Sequence, residues 1–268
     1  MTDAALQAQI DAAKAYEDHF VPALFGQWAP RMADHARIGA GQQVLDIACG
    51  TGVLAREAAK QVGPAGFVAG LDPGSGMLAV AAQLAPKIAW RNGTAEALPY
   101  PDRRFDAVVS QFGLMFFTDR RQALREMLRV LKPGGRLAVS VWASIDRAPA
   151  FADLVALLDR GAGQRAADAL RAPFALGDVS ELTRLVAGIK ELSATITTET
   201  GMGRFPSIRF LVEAELRGWL PLMGIVLGEE QIHQILQEAE HALARYAAAD
   251  GTMTFALAAH IIAGTKAA

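Results

Sequence analysis

The segment VLDIACGTG, residues 44–52, places an acidic residue, Asp46, ahead of a turn that contains two glycines. Gly50 and Gly52 have no Cβ atom, so the backbone of such a turn can approach a bound molecule closely. Asp72 follows about twenty residues later in GLDP, where the carboxylate can accept hydrogen bonds from both hydroxyls of a ribose. These positions together predict a site for a nucleoside.

The elements that must position these residues alternate along the chain. Short apolar runs predict strands, and apolar residues at helical spacing predict helices. The predicted strands are 44–47, 67–72, 105–112 and 136–142, and the predicted helices are 53–62, 77–85 and one that starts at Thr118 or Asp119 and stops at Lys132–Gly135. Continuous apolar strands separated by helices predict an α/β fold whose mostly parallel sheet is covered on both faces.

The second half of the chain has a weaker pattern and no linker that would separate domains. Residues 192–199 and 254–266 read as strands, with two amphipathic helices between them. We therefore expect one domain over residues 1–268. Its predicted parts are an N-terminal helical arm at 1–40, a cofactor-binding core at 41–142, and a helical cap at 206–249 inserted before the last strand.

Composition narrows the classes of partner. The 268 residues carry a formal net charge of -2, without the basic excess that a phosphate-binding surface needs, so nucleic acid is not an expected partner. The N-terminus has no apolar run typical of a signal peptide or a membrane span, which favours a cytoplasmic protein. Cys49 is the single cysteine, and no His, Asp and Glu cluster has metal-ligand spacing, so we expect no metal site.

Four segments in order carry a resemblance to a known family. VLDIACGTG, GLDP (70–73), NGTAEALPYPDRRFDAVVS (92–110) and LREMLRVLKPGGRLAVSVW (124–142) resemble the class I S-adenosylmethionine-dependent methyltransferases, and most of all the branch with the ubiquinone and menaquinone C-methyltransferases. The resemblance covers roughly residues 40–142. It implies a doubly wound, Rossmann-like sheet of seven strands, mostly parallel with an antiparallel last strand. It also implies S-adenosylmethionine as cofactor and methyl transfer, by in-line displacement, to a small apolar or aromatic acceptor.

The resemblance also implies roles for single residues. Asp46 and the glycine turn would hold the methionine part, Asp72 the ribose, and Pro73 with Met77 the adenine. Thr94 stands where the family usually has an aspartate, so adenine recognition would rest more on the backbone around Ala95. Aromatic residues of the arm would close the pocket, although ordinary helix packing explains each of them equally well. The positions assigned to the cofactor are Tyr16, Phe20, Trp28, Asp46, Ala48, Gly50, Thr51, Gly52, Asp72, Pro73, Met77, Thr94, Ala95, Glu96 and Gln111.

The acceptor side is less defined. Apolar residues that follow the fourth strand and lie in the cap are the candidates for acceptor binding, namely Phe112, Met115, Phe116, Trp219 and Met223. The apolar stretch of the cap is compatible with a lid over the acceptor, a homodimer surface or a helix–helix core. His19 is the weak candidate for a general base, and an exposed polar role is the competing interpretation.

Two other functions remain open from the sequence. A nicotinamide-dependent oxidoreductase uses the same combination of glycine turn and distant acid. Asp46 and the later AEALP and LKPGG segments count against it. A non-catalytic scaffold that binds S-adenosylmethionine is compatible with every motif, since the motifs concern cofactor binding rather than turnover.

Overall fold

The computed structural model describes residues 3–268. Its strands are β1 (Gln43–Ile47), β2 (Phe67–Asp72), β3 (Ala89–Asn92), β4 (Phe105–Gln111), β5 (Leu131–Trp142), β6 (Leu192–Phe205) and β7 (Met253–Lys266). Its helices are α1 (Asp3–Ala15), α2 (Trp28–His35), α3 (Val53–Val62), α4 (Ser75–Leu84), α5 (Arg120–Val130), α6 (Pro149–Ala162), α7 (Gln164–Arg171), α8 (Val179–Ala187), α9 (Ile208–Ala214), α10 (Leu220–Leu222) and α11 (Glu229–Ala242). Tyr16–Phe25 and Glu215–Trp219 are π-helical.

All seven strands form one sheet in the order β3-β2-β1-β4-β5-β7-β6. β1 pairs in parallel with β2 and β4, β2 with β3, and β4 with β5. The last strands are antiparallel. The order reverses at β1, so β1 and β4 are the point at which an open α/β sheet binds its ligands, outside the carboxyl ends of the strands. The predicted fold class is confirmed.

Most predicted elements are present, and the differences have local causes. β3 was not predicted, because its four residues lie mostly exposed and lack an apolar run. β5 begins at Leu131 rather than 136, since Leu131 already pairs with Phe105 and the register then shifts before Arg136 pairs with Ala107. The Lys-Pro-Gly-Gly segment that predicts a stop therefore lies inside β5, at the irregularity in its pairing with β4.

Helix α5 follows the sequence signals closely. The Asp119 side chain accepts a hydrogen bond from the Gln122 N–H at 2.9 Å, which caps the first turn. Ala123, Leu124 and Met127 are buried on the inner face of the helix. The helix ends at Val130, and the chain enters β5 directly.

The described chain falls into two compact units. The first contains 3–141, 179–199 and 260–268, and the second contains 142–178 and 200–259. The single domain with arm, core and cap boundaries stays a prediction beside this division. The first unit carries the glycine turn and the parallel strands.

The second unit has its own aromatic core. Phe151 lies 5.5 Å from Phe174 and 5.6 Å from Phe255, centroid to centroid, and Phe205 stacks on Phe255 at 6.2 Å. Buried residues of α9 and α11 belong to the same unit. No helix within residues 3–268 has the length and apolar character needed to cross a membrane.

Candidate functional site

The carboxyl ends of β1, β2 and β4 bring the main predicted residues to one edge of the first unit. Asp72 ends β2 and Gln111 ends β4, while Asp46 is the penultimate residue of β1. Parallel pairing places Asp46 beside Gly70 in β2 and beside Val109 in β4. The sheet itself therefore assembles a site from segments up to 65 residues apart in sequence.

The turn after β1 uses backbone conformations that favour glycine. Gly50 and Gly52 have φ angles of +54° and +87°, and Ala48 adopts +55° despite its Cβ atom. Such a conformation costs a non-glycine residue about 1–3 kcal/mol and is concentrated at functional sites. A Cβ atom at Gly50 would meet nothing within 4 Å, so the turn faces open space there.

Gly52 packs against Trp90, a residue that the sequence analysis did not identify. A Cβ atom on Gly52 would lie 2.4 Å from the ring of Trp90, and one on Gly70 would lie 2.3 Å from the same ring. Trp90 comes from β3 and is fixed by a hydrogen bond from its Nε1 to the Ala85 carbonyl at 3.0 Å. The indole thus supports the turn from behind. Gly70 inside an apolar strand was the available signal, since such a glycine often marks a close approach.

Asp46 is a buried carboxylate whose oxygens lack hydrogen-bond partners in the described part of the chain. Asp46 is 1% exposed. Among residues 3–268, neither of its carboxylate oxygens has a partner for a hydrogen bond of normal geometry. Burial raises the pKa of Asp46 well above its usual value, and the nearby charge of Asp72 raises it further, while the Ala55 N–H opposes the shift. A buried acid in this state is stabilised by a cationic partner.

Asp72 has partners but keeps capacity for more. Its Oδ2 accepts from the Gly50 N–H at 2.8 Å, and its Oδ1 accepts from the Gly74 N–H at 2.7 Å. Each carboxylate oxygen retains a lone pair for a further donor. Burial raises the pKa of Asp72, although both amide hydrogen bonds lower it. Asp72 therefore orders the turn as well as facing the site edge.

The arm contributes an aromatic cluster. The ring of Tyr16 lies 6.2 Å from Phe20 and 5.3 Å from Phe25, and Phe25 lies 5.7 Å from Phe112. Trp28 meets Phe112 edge to face at 5.7 Å. Burial raises the pKa of Tyr16, and so do the negative charges of Glu17, Asp72 and Asp46. The aromatic cluster therefore joins the arm to the end of β4.

Gln111 and Phe112 form the β4 side. The Gln111 Nε2 donates to the Phe25 carbonyl at 3.2 Å, and its Oε1 is buried without a hydrogen bond. Phe112 has a φ of +56° and is held by its N–H, which donates to the carbonyl and hydroxyl of Ser140 at 3.1 and 3.2 Å. A bulky residue in this conformation stores strain at the end of the strand.

The remaining predicted cofactor residues lie on the β2–α4 and β3–β4 connections. Pro73 is exposed, Met77 is half-buried in α4, Thr94 is exposed and Ala95 is buried. The Glu96 Oε1 accepts from the Thr118 N–H at 2.9 Å, so this carboxylate helps to begin α5. Their role toward a cofactor stays a prediction.

The predicted acceptor residues divide between the two units. Met115 is buried and Phe116 is half-exposed in a short 3-10 helix after β4, in the first unit. Trp219 and Met223 belong to the second unit, where the Trp219 Nε1 donates to the Ala169 carbonyl at 2.9 Å. His19 is exposed on the arm. Residues 3–268 contain no group of three or more His, Cys, Asp or Glu side chains arranged for a metal ion.

A comparison with protein families covers the part of the chain that forms this edge. Residues 44–135 match the family model described as "Methyltransferase domain". Over these residues the chain is similar to known methyltransferase domains. The matched segment contains nearly all of β1, the glycine turn, Asp72, Trp90 and Gln111.

The curated relatives match only part of this chain. The ubiquinone/menaquinone biosynthesis C-methyltransferase UbiE of Hahella chejuensis is 45% identical over 118 residues, which are 42% of this chain and 47% of that protein. This chain thus spans about half the length of the curated relatives that it matches.

Two solved structures share the fold. The YcgJ protein of Bacillus subtilis has a TM-score of 0.59 and 23% identity, covering 90% of this chain and 99% of that one. Phosphoethanolamine N-methyltransferase 2 of Haemonchus contortus, solved with S-adenosylhomocysteine, has a TM-score of 0.59 and 18% identity, covering 96% of this chain and 57% of that one. At these identities the likeness concerns the fold.

Proposed function

We propose that this chain transfers a methyl group from S-adenosylmethionine to a small, apolar or aromatic acceptor. The observation that carries the proposal is the unpartnered, buried carboxylate of Asp46 beside an open glycine turn and Asp72. S-adenosylmethionine supplies an electrophilic methyl group on a sulfonium, together with an ammonium and a ribose. The residues present fit those groups, since Asp46 needs a cation and Asp72 has free lone pairs for hydroxyl donors.

The protein's own residues then have defined tasks. Asp46 would bind the ammonium end, the Gly50–Gly52 turn would allow close approach of the backbone, and Asp72 would bind the ribose hydroxyls. The aromatic cluster of the arm and Phe112 would exclude water from the reacting centre. Because the methyl group is already activated, the protein mainly has to hold the acceptor in a near-attack geometry.

An apolar or aromatic acceptor is favoured by the residues around Gln111. Phe112 and Met115 are buried at the end of β4, and Phe116 is half-exposed beside them. The name of the relative from Hahella chejuensis, a quinone-biosynthesis C-methyltransferase, supports an aromatic acceptor. In the second unit, Leu222 and Val226 are 66% and 84% exposed, which keeps a lid or a homodimer surface as proposals for this stretch.

Calorimetry tests cofactor identity. Wild-type protein should bind S-adenosylmethionine and S-adenosylhomocysteine and should not respond to NAD. Asp46→Asn should weaken both by about 10- to 100-fold, because a charge-assisted hydrogen bond is worth about 1.5–3 kcal/mol. Asp34→Asn, at an exposed aspartate of α2, is the matched control and should leave binding unchanged. Binding of NAD alone would overturn the proposal in favour of an oxidoreductase.

Transfer of labelled methyl groups tests turnover. Quinone precursors, phenols and polyketides form the acceptor panel, and at least one should take up label in the presence of wild-type protein. Asp46→Asn should lose that incorporation at low cofactor concentration and recover part of it at saturation. Cofactor binding without incorporation into any acceptor class would favour the scaffold.

A further inference from the structure

The π-helical segment Tyr16–Phe25 of the arm is unusual in length and position. It continues α1 for ten residues and contains Pro22. π-helical turns are rare, are mostly single turns and are frequent at functional sites. The segment ends at Gly26, whose N–H donates to the Val21 carbonyl at 2.6 Å. A segment of this kind needs contacts from outside itself to stay ordered.

One such contact comes from Arg56 in the first turns of α3. Its Nη2 forms an ion pair with the Glu17 Oε1 at 2.6 Å, and its Nη1 donates to the Thr51 carbonyl at 2.6 Å. The two side chains are 23% and 17% exposed, so water screens the pair only partly. One guanidinium therefore joins the start of the π-helical segment to the glycine turn.

The other end of the segment is attached separately. The Gln111 Nε2 donates to the Phe25 carbonyl, and the Phe25 ring packs on Phe112. The segment is thus fixed at Glu17 to α3 and the glycine turn, and at Phe25 to the end of β4.

Thr51 is the residue of the glycine turn that Arg56 connects to the arm. It lies between Gly50 and Gly52, whose positive φ angles leave the turn few intrinsic restraints. The Arg56 bond fixes the direction of the Thr51 carbonyl, while the Thr51 Oγ1 is buried without a hydrogen bond. Glu17 in turn fixes the guanidinium.

We infer that Glu17 and Arg56 are a latch, which positions the glycine turn and sets how long the cofactor stays bound. This inference rests on the proposed function. Neither residue touches a reacting atom, so both are positioning residues. Opening the segment would require separating a short, largely dehydrated ion pair, and release of cofactor is expected to be limited by that step.

Hydrogen exchange without cofactor tests the attachment alone. In Arg56→Ala and Glu17→Gln, the amides of residues 16–25 should exchange at least about fivefold faster, with β1 and β4 unchanged. Glu57→Gln is the matched control, because Glu57 pairs on the same helix with the exposed Lys60. Unchanged exchange of residues 16–25 in both variants would overturn the latch.

Stopped-flow dissociation tests the consequence. S-adenosylhomocysteine should leave Arg56→Ala about tenfold faster than wild type and Glu17→Gln a few-fold faster, with Arg56→Lys between them. KM for S-adenosylmethionine should rise, while kcat stays within about threefold. Equal dissociation rates in a wild type and variants that all bind would overturn the latch only. A wild type that binds neither compound would overturn the proposed function and the residence-time claim together.

Discussion

At the scale of single residues, two acids at the same sheet edge have different surroundings. Asp72 accepts hydrogen bonds from the N–H groups of Gly50 and Gly74, whereas neither oxygen of Asp46 has a hydrogen bond of normal geometry with a described residue. Burial raises the pKa of both carboxyls. Asp46 is therefore the acid whose charge depends most on a bound cation.

The pH dependence of cofactor affinity follows from Asp46. Because its pKa is raised in the free chain, the carboxyl becomes protonated as pH falls toward that value, and affinity for the ammonium falls with it. Calorimetry between pH 5 and 7 should show weaker binding at the lower pH in wild type. In Asp46→Asn this dependence should be weaker, because only Asp72 then remains as a site carboxyl with a raised pKa. If the affinity of Asp46→Asn changed with pH as steeply as that of wild type, the pH dependence would belong to a group other than Asp46.

At the scale of elements, the glycines divide by what lies behind them. Gly50 faces open space, while Gly52 and Gly70 face the indole of Trp90. Replacement of Gly50 therefore tests the binding of a ligand, whereas replacement of Gly52 or Gly70 tests the packing against Trp90 of β3.

Gly70→Ala should destabilise the protein more than it weakens binding. Its Cβ atom would overlap the Trp90 ring, and overpacking of this kind costs about 1–3 kcal/mol. Gly50→Ala should do the reverse, with a loss of about 1 kcal/mol from its positive φ and a much larger loss of cofactor affinity. Urea unfolding and calorimetry on the same samples separate the two.

The Gly70 effect has an internal control. Trp90→Leu combined with Gly70→Ala should recover part of the lost free energy of unfolding, since the smaller side chain leaves room for the new methyl group. A double variant whose loss equals the sum of both single losses would show that the indole is not the obstacle.

Elements with strong local signals could be predicted, and contacts between elements could not. β1, β2 and α3 follow from apolar runs bounded by glycines, and Asp119 correctly marks the start of α5. The Glu17–Arg56 pair joins residues 39 apart, and nothing near either residue indicates it. Gln111 was placed by resemblance at the cofactor, and its bond to the Phe25 carbonyl depends on a fold of the arm that periodicity does not specify.

At the scale of the whole molecule, the second unit contains a buried acid outside the proposed site. Glu215 is 5% exposed, and burial raises its pKa to about 8. In the unfolded chain a glutamate titrates near 4.3. Between these values the folded state holds a proton that the unfolded state has lost, so stability decreases as pH rises through this window.

Glu215→Gln should remove that loss. Wild type and variant should be similarly stable near pH 4.5, and the variant should be more stable by a few kcal/mol above pH 8, where wild type buries a charge. Urea unfolding at both pH values measures the difference. Glu230→Gln, an exposed residue of α11, is the control. Parallel pH profiles for wild type and Glu215→Gln would contradict the assignment.

The contact between Trp90 and the glycine turn has an optical consequence. The chain has four tryptophans, at 28, 90, 142 and 219, and Trp90 lies against Gly52. A variant with phenylalanine at the other three positions would emit from that indole alone. Its emission wavelength and quenching would then report movements of the turn in real time, without any added dye.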